Sequence, residues 1–257
     1  MLRMRRQKTR SLARASLASL LGITLIATIS ACAPAAEQPR QLSTAEAELL
    51  SAARFHNFDA GTRRIDMTIT ESGTTLDVTG YYDFVSHVGF AEVASDAQPS
   101  TQASETDYLW WTATAVGEVV TEGPAPDWDA GVPTVDPAWS WEFFEIDPKA
   151  STLIAGLALV SASGFDRPDN PQLLAQSDAL WLSETSKGVW FQLPSSDDLT
   201  KTNPTPSANP ALPRMLVSDS GVIQRVKLDP NPTTDVSITF GSSTDSTLPA
   251  PSIPAAK

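Results

Sequence analysis

Between residues 62 and 84 apolar and polar side chains alternate. In "TRRIDMTIT", Ile65, Met67 and Ile69 alternate with Asp66, Thr68 and Thr70. A period of two puts successive side chains on opposite faces, so this segment predicts a half-buried strand. "ESGTT" supplies a turn with Gly73. "LDVTGYYDF" then resumes the alternation, with Leu76, Val78, Gly80, Tyr82 and Phe84 set against Asp77, Thr79, Tyr81 and Asp83. "VGFAEV" reads as a third strand. After a polar stretch at 95–107, "YLWWTATA" reads as a fourth, which points Trp110 and Trp111 to opposite sheet faces. "WSWEFFEI", "GVWFQL" and "DVSITF" add further strands. "RMLVSDSGVIQRVKL" adds a hairpin turning at Asp219-Ser220-Gly221. Strands joined by short turns are antiparallel neighbours. The pattern predicts roughly eight to eleven of them, with a helical insert before the final four.

Three segments carry helix signals. Leu42 precedes "STAEAELLSAAR", in which Ser43 and Glu46 make an S-x-x-E capping box and Leu49, Leu50 and Ala53 form an apolar face. Asp147-Pro148 reads as a helix start, with Asp as cap and Pro at the first position, running to about Ser163 with Gly164 as the stop. "DNPQLLAQS" repeats the device with Asn170 and Pro171. Strands with helices inserted make an α+β chain. The expected architecture is a half-open antiparallel β-barrel, a curved sheet with helices covering its concave face.

The middle helix raises a question of function. Residues 153–160 read "LIAGLALV", and no charged residue occurs between Lys149 and Asp166. Covering a sheet needs only one apolar stripe, here Leu153, Ile154, Leu157 and Val160. Leu159 lies off it, and Ala155, Ala158 and Ala162 leave no polar face. Such a helix is expected to be surrounded, either by ordinary packing or by a cavity that holds an apolar ligand; a buried strand is the remaining option. Gly156 weakens a helix by roughly 1 kcal/mol against Ala, which a moving lid tolerates.

The N-terminus changes the picture most. The first fourteen residues carry six basic residues and no acid, and residues 15–31 carry no charge. A basic region, a short apolar region and a small-residue exit make a secretory signal peptide, short for a transmembrane helix of about 20 apolar residues. Ile29-Ser30-Ala31-Cys32 resembles the bacterial lipobox. That resemblance implies processing before Cys32, acylation of its thiol and amino group, and anchoring on the extracytoplasmic face of the membrane; two or three acyl chains hold firmly where one is marginal. Cys32 is the single cysteine, so no disulfide staples the exported fold. Arg5-Arg6 lacks the apolar residues expected after a twin-arginine pair, which favours the general secretory route.

Removing residues 1–31 takes six of the 18 Lys and Arg and none of the 30 Asp and Glu, leaving a net charge of about −18. Such a surface excludes nucleic acid as a partner. It also repels anionic lipid headgroups, so the acyl anchor rather than charge is expected to hold the chain at the membrane. Residues 32–41 read as an acylated tether, whose nine residues 33–41 span about 15–18 Å as coil. Residues 42–240 read as the folded domain, and 241–257, rich in Ser, Thr and Pro, as a disordered tail.

The capped first helix, the strand meander, the Pro-initiated apolar helix and the hairpin with a D-x-G turn together resemble LolA-like carrier domains. The chain is similar in particular to the LppX–LprG-type lipoproteins of mycobacteria and their actinobacterial relatives, among them uncharacterised members carrying segments such as "LDVTGYYDFVSHVGFAEV" and "RPDNPQLLAQSDALWL". The resemblance covers about residues 42–240 and is one of topology and texture. It implies a non-catalytic protein that binds or carries a lipid, glycolipid or other amphiphile. It also implies a cavity lined by Ile65, Met67, Ile69, Leu76, Val78 and Tyr82 from the sheet and Leu153, Leu157 and Val160 from the lid. A dry cavity favours acyl chains by about 0.8 kcal/mol per CH₂. The rival reading is an envelope interaction or scaffold lipoprotein with a filled core and a protein partner.

Enzymatic and metal chemistry finds little footing. His56 and His87 are the two histidines, and neither G-x-S-x-G nor S-x-x-K occurs. Neither histidine has a second at zinc-ligand spacing. "DWDAG" begins like a calcium loop but lacks the third acidic position and the closing Glu, so Asp127, Asp129 and Asp136 read by default as solvated turn carboxylates, with a calcium ion gathered between them as the other option. No cofactor or metal is expected. Trp110, Trp111, Trp128, Trp139 and Trp141 fall within 32 residues, as core packing or as an exposed aromatic platform.

Overall fold

The computed structural model describes residues 38–96, 105–195 and 206–249. They belong to one compact unit, Glu37–Lys257. Among the described residues twelve strands form one antiparallel sheet; the first two of three helices pack against one of its faces, and the third packs on the first.

The chain enters through β1 (Arg40–Gln41) and α1 (Thr44–Asp59). It then runs the meander β2 (Thr62–Glu71), β3 (Thr74–Asp83), β4 (Val88–Ser95), β5 (Glu105–Trp111), β6 (Ala115–Glu122) and β7 (Glu142–Glu145). The helices α2 (Thr152–Ser161) and α3 (Pro171–Gln176) follow. The chain returns through β8 (Leu180–Thr185), β9 (Gly188–Gln192), β10 (Arg214–Val217), β11 (Ile223–Asn231) and β12 (Thr234–Thr244). The spatial order is β1-β8-β9-β10-β11-β12-β2-β3-β4-β5-β6-β7. The pairing of β12 with β2 joins the two halves. The ends of the row, β1 and β7, do not pair, so the sheet is not closed into a barrel.

The predicted alternation sets the layers. Ile65, Met67, Ile69, Val78, Tyr82 and Phe84 are buried on the helix-bearing face, while Asp66 and Thr68 are exposed. Ser72 and Gly73 both take positive φ, the geometry of a two-residue hairpin turn. Gly221 turns the β10–β11 hairpin as read from the sequence. The capping box of α1 is closed: Ser43 N donates to Glu46 Oε2 at 2.8 Å, and Glu46 N donates to Ser43 Oγ at 3.3 Å.

Several expectations are corrected. Among the described residues the strands number twelve rather than eight to eleven, the additions to the sequence reading being β1, β6 and β8. "YLWWTATA" is not one strand. Thr112 N donates to Ala115 O, turning the chain into β6. The second helix starts at Thr152 with Ser151 as cap, not at Asp147. Asp147 instead accepts from Lys149 N at its carboxylate and from Ala150 N at its carbonyl. Proline with its fixed φ fits a turn as well as a helix start. The expected boundaries of the folded domain, 42 and 240, are both too narrow. Arg40 and Gln41 pair with Trp181 and Leu180, and β12 runs on to Thr244. Leu248 is buried beyond it, and Trp110 Nε1 donates to Pro249 O at 2.9 Å, so residues 241–249 are not a disordered tail. Cys32 and residues 1–31 lie outside the described residues, as do residues 250–257.

The two sheet faces carry separate cores. On the helix-bearing face the apolar residues of α1 and α2 meet those of β2, β3 and β8–β12. The outer face of β3–β6 carries Tyr81, Phe90, Tyr108 and Trp110. These are covered by Trp128, Trp139 and Trp141 from the 123–141 loop and by Leu248. Trp110 and Trp111 fall on opposite faces, as the strand reading requires. Tyr81 belongs to the outer core, which is why it is buried at a position read as polar.

Candidate functional site

The nine residues expected to line a cavity lie together, in a closed layer. Ile65, Met67, Ile69, Val78, Tyr82, Leu157 and Val160 are all buried, and Leu76 and Leu153 pack at the margin. α2 approaches β2 closely at Gly156, where a Cβ would stand 2.6 Å from Met67 Sδ. Further along the sheet, Trp111 lies across Gly89 and stacks on Tyr82 at 5.7 Å. A Cβ at residue 89 would sit 2.2 Å from the indole. A glycine there therefore makes room for the ring that fills this end of the layer. Phe84 completes the filling, 4.9 Å from Tyr82 and against Gly164.

Within that layer Tyr82 Oη and Trp111 Nε1 are buried without a protein hydrogen-bond partner. Burial pushes the Tyr82 hydroxyl up to about 12, with the nearby Ser161 hydroxyl opposing the shift. The Ser161 hydroxyl itself donates to Leu157 O at 3.1 Å.

Deeper polarity is handled by Arg63, which is 4 % exposed. Its guanidinium donates to Asn57 Oδ1 and to the carbonyls of Ile223, Phe240 and Gly241, at 2.7–3.1 Å. Asn57 Nδ2 donates in turn to Ser163 O. Burial lowers the Arg63 guanidinium to about 10. These bonds tie α1, β2, β12 and the end of α2 together, and they use every guanidinium N–H. The network is structural and leaves no donor for a ligand.

The apolar space that does open lies beside α2 rather than beneath it. A cleft of about 410 Å³ is bounded by Leu50 and Arg54 of α1 and by Leu159 and Ala162 at the end of α2. Leu173 and Leu174 of α3, with Leu193 and Met215, complete it. It falls in the range of about 300–1,000 Å³ typical of small-molecule pockets. Its rim carries one ion pair, Arg54 with Asp169, in which Arg54 Nε donates to Oδ2 at 3.0 Å and Nη2 to Oδ1. Asp169 N also donates to Ser51 O, and the Arg54 guanidinium lies 5.2 Å over Phe165. Among the described residues the outer face of α2 is not surrounded, contrary to expectation: Leu153, Ile154, Ala155, Ala158 and Leu159 are half-buried, and Ala162 is exposed. Leu173 is 59 % exposed. Of the cleft residues, the sequence marks Leu50 on the apolar face of α1, Leu159 and Ala162 off the stripe of α2, and Asn170 as a cap, without placing them together. Arg54 and Asp169 are separated by 115 positions, and no local pattern joins them.

The remaining candidates have structural duties. His87 is exposed in the β3–β4 turn. His56 borders Gly221 in the β10–β11 turn. Asp129 pairs with Arg64 at 2.5 Å, while the Asp127 and Asp136 carboxylates each accept a backbone N–H two residues on. Among the described residues no three His, Cys, Asp or Glu gather as a metal site, and no helix is long and apolar enough to cross a membrane. No protein-family model matches the chain, and no curated protein matches its sequence.

Proposed function

We propose that this chain is an exported lipoprotein, held on the extracytoplasmic face of the membrane by acylated Cys32. Its role is to bind the apolar part of a lipid or other amphiphile without covalent chemistry. The cleft between α1, α2 and α3 carries this reading. It is apolar along its walls, charged only at its rim, and large enough for one small ligand. The finer architecture, a half-open barrel with helices over its concave face as in LolA-like carriers, belongs to the same proposal. The lining is revised: Leu159, Leu173, Leu174 and Met215 take the place of residues that pack against each other under α2.

A second reading has its own support. The layer under α2 is filled by Met67, Tyr82, Phe84 and Trp111, as expected of an envelope scaffold with a protein partner. The two readings separate in one experiment. Residues 33–257 are produced in a lipid-making bacterial host, and native mass spectra are recorded before and after organic extraction. An extractable mass of lipid size that diminishes in Leu159→Trp supports ligand binding in the cleft. A clean apo mass, unchanged on incubation with membrane lipids, favours the scaffold.

A further inference from the structure

The outer face of β9–β11 differs in charge from the chain as a whole. A groove of about 510 Å³ there is lined by Arg214, Arg225 and Lys227, with Trp190 and Pro39 at its sides. The register sets the three cations together: Arg214 is directly opposite Lys227, and Arg225 is opposite Leu216, the neighbour of Trp190. Like charges directly across a ladder disfavour the sheet. Asp229 offsets one of them by pairing with Arg214. Asp235 lies alongside; burial and Asp229 push its carboxyl up, and Lys227 and Arg214 oppose the shift. Among the described residues neither Arg225 nor Lys227 forms an ion pair; Arg225 Nε donates only to Thr239 Oγ1, at 3.3 Å.

Pro39 ties this groove to the anchor. Cys32 stands seven residues before it, and seven residues reach at most about 25 Å in any conformation. We infer that the groove docks on anionic phospholipid headgroups of the bilayer that holds Cys32. This inference rests on the anchoring reading above. The net charge near −18 opposes approach only within its screening distance, about 8 Å at physiological salt. At contact, the cations nearest the surface decide the sign. Trp190 at the rim suits a membrane interface, where Trp is enriched.

The test supplies the anchor chemically. Residues 32–257 are coupled through the Cys32 thiol to a maleimide-headgroup lipid. The host vesicles contain phosphatidylglycerol with phosphatidylcholine, or phosphatidylcholine alone. Lipids brominated near the headgroup quench Trp190 on contact, and Trp190→Phe gives the background from the other tryptophans. The expected result is quenching in the anionic vesicles, absent in phosphatidylcholine and abolished by high salt. In Arg225→Gln/Lys227→Gln the docked-to-free ratio falls on the order of thirtyfold, about fivefold for each cation near an anionic surface. Equal quenching in the two vesicle types overturns the inference, as does a double variant that docks like the parent; the groove then belongs to an acidic protein. A mature chain from a bacterial host that carries no acyl chains at Cys32 overturns the anchoring reading instead.

Discussion

The outer face of the sheet ends in two different ways. Over β3–β6 it is aromatic and covered. Phe90 and Tyr108 stack at 5.6 Å, Trp139 stacks on Tyr108 at 4.8 Å, and Trp128 closes over Phe90 and Tyr81. Two polar ties hold the cover in place: Tyr81 Oη donates to Trp128 O, and Trp128 Nε1 donates to Glu92 Oε2, each at 3.0 Å. Over β9–β11 the same face carries Arg214, Arg225 and Lys227 and, among the described residues, stays open. Apolar surface gains by drawing its own chain over itself, at about 25 cal/mol per Å². Cationic surface gains nothing from such a cover and remains available to an anionic partner. One face thus contributes stability at one end and recognition at the other.

Breaking the covered end has the largest effect. Trp128→Ala removes an indole that is 5 % exposed, together with its tie to Glu92, and is expected to cost about 3–5 kcal/mol in urea unfolding. Ending the chain after Thr244 uncovers Trp110 and removes Leu248 and the Pro249 carbonyl. A loss of about 1–3 kcal/mol and a red-shifted tryptophan emission are expected; an unchanged spectrum would mean that these residues do not cover the aromatic core.

The tether end gives smaller effects. Hydrogen bonds from Arg40, aided by the Ser43 backbone and side chain, hold the Glu46 carboxyl down at about 2 against an ordinary 4.5. A depressed carboxylate stabilises the fold above its ordinary value and loses that contribution as pH falls from 4.5 towards 2. The Arg40 side chain is 49 % exposed, so the contribution is about 1 kcal/mol. Glu46→Gln should flatten the acid limb of the stability profile between those values, and an unaltered limb would place the titration elsewhere. Smallest of all, Arg225→Gln/Lys227→Gln should move unfolding stability by no more than about 0.5 kcal/mol. A larger loss would make those cations part of the sheet's own stabilisation.

Much of the fold was legible because its signals are local. Ile65, Met67 and Ile69 name their face by alternation, Ser43 and Glu46 close a cap across one turn, and Gly221 marks its hairpin. Misreadings arose where one local pattern fits two structures. Asp147-Pro148 satisfies a turn as readily as a helix start, with Ser151 the working cap four residues later. In β6 the space of the missing side chain at Gly117 is taken by Phe143 and Trp141, which lie in sequence more than 20 residues away. Alternation assigns Ile65, Met67, Ile69 and Val78 to one face, but it does not say how far a helix stands from a sheet. Gly156 against Met67 sets that distance.

The sequence by itself determined the strand faces, the first and third helix caps, the antiparallel meander and the total charge. These depend on neighbours within a few residues, or on a sum over all of them. Tertiary structure alone decided where space lies and what flanks the cations, because both depend on which elements meet across the fold. The β10–β11 hairpin sets Arg214, Arg225 and Lys227 together, and the long-range pairing of β1 with β8 brings Pro39 beside them, making a basic groove in an acidic protein. The fold also lays Trp111 over Gly89 to fill the layer beneath α2, and leaves the apolar cleft between the helices instead.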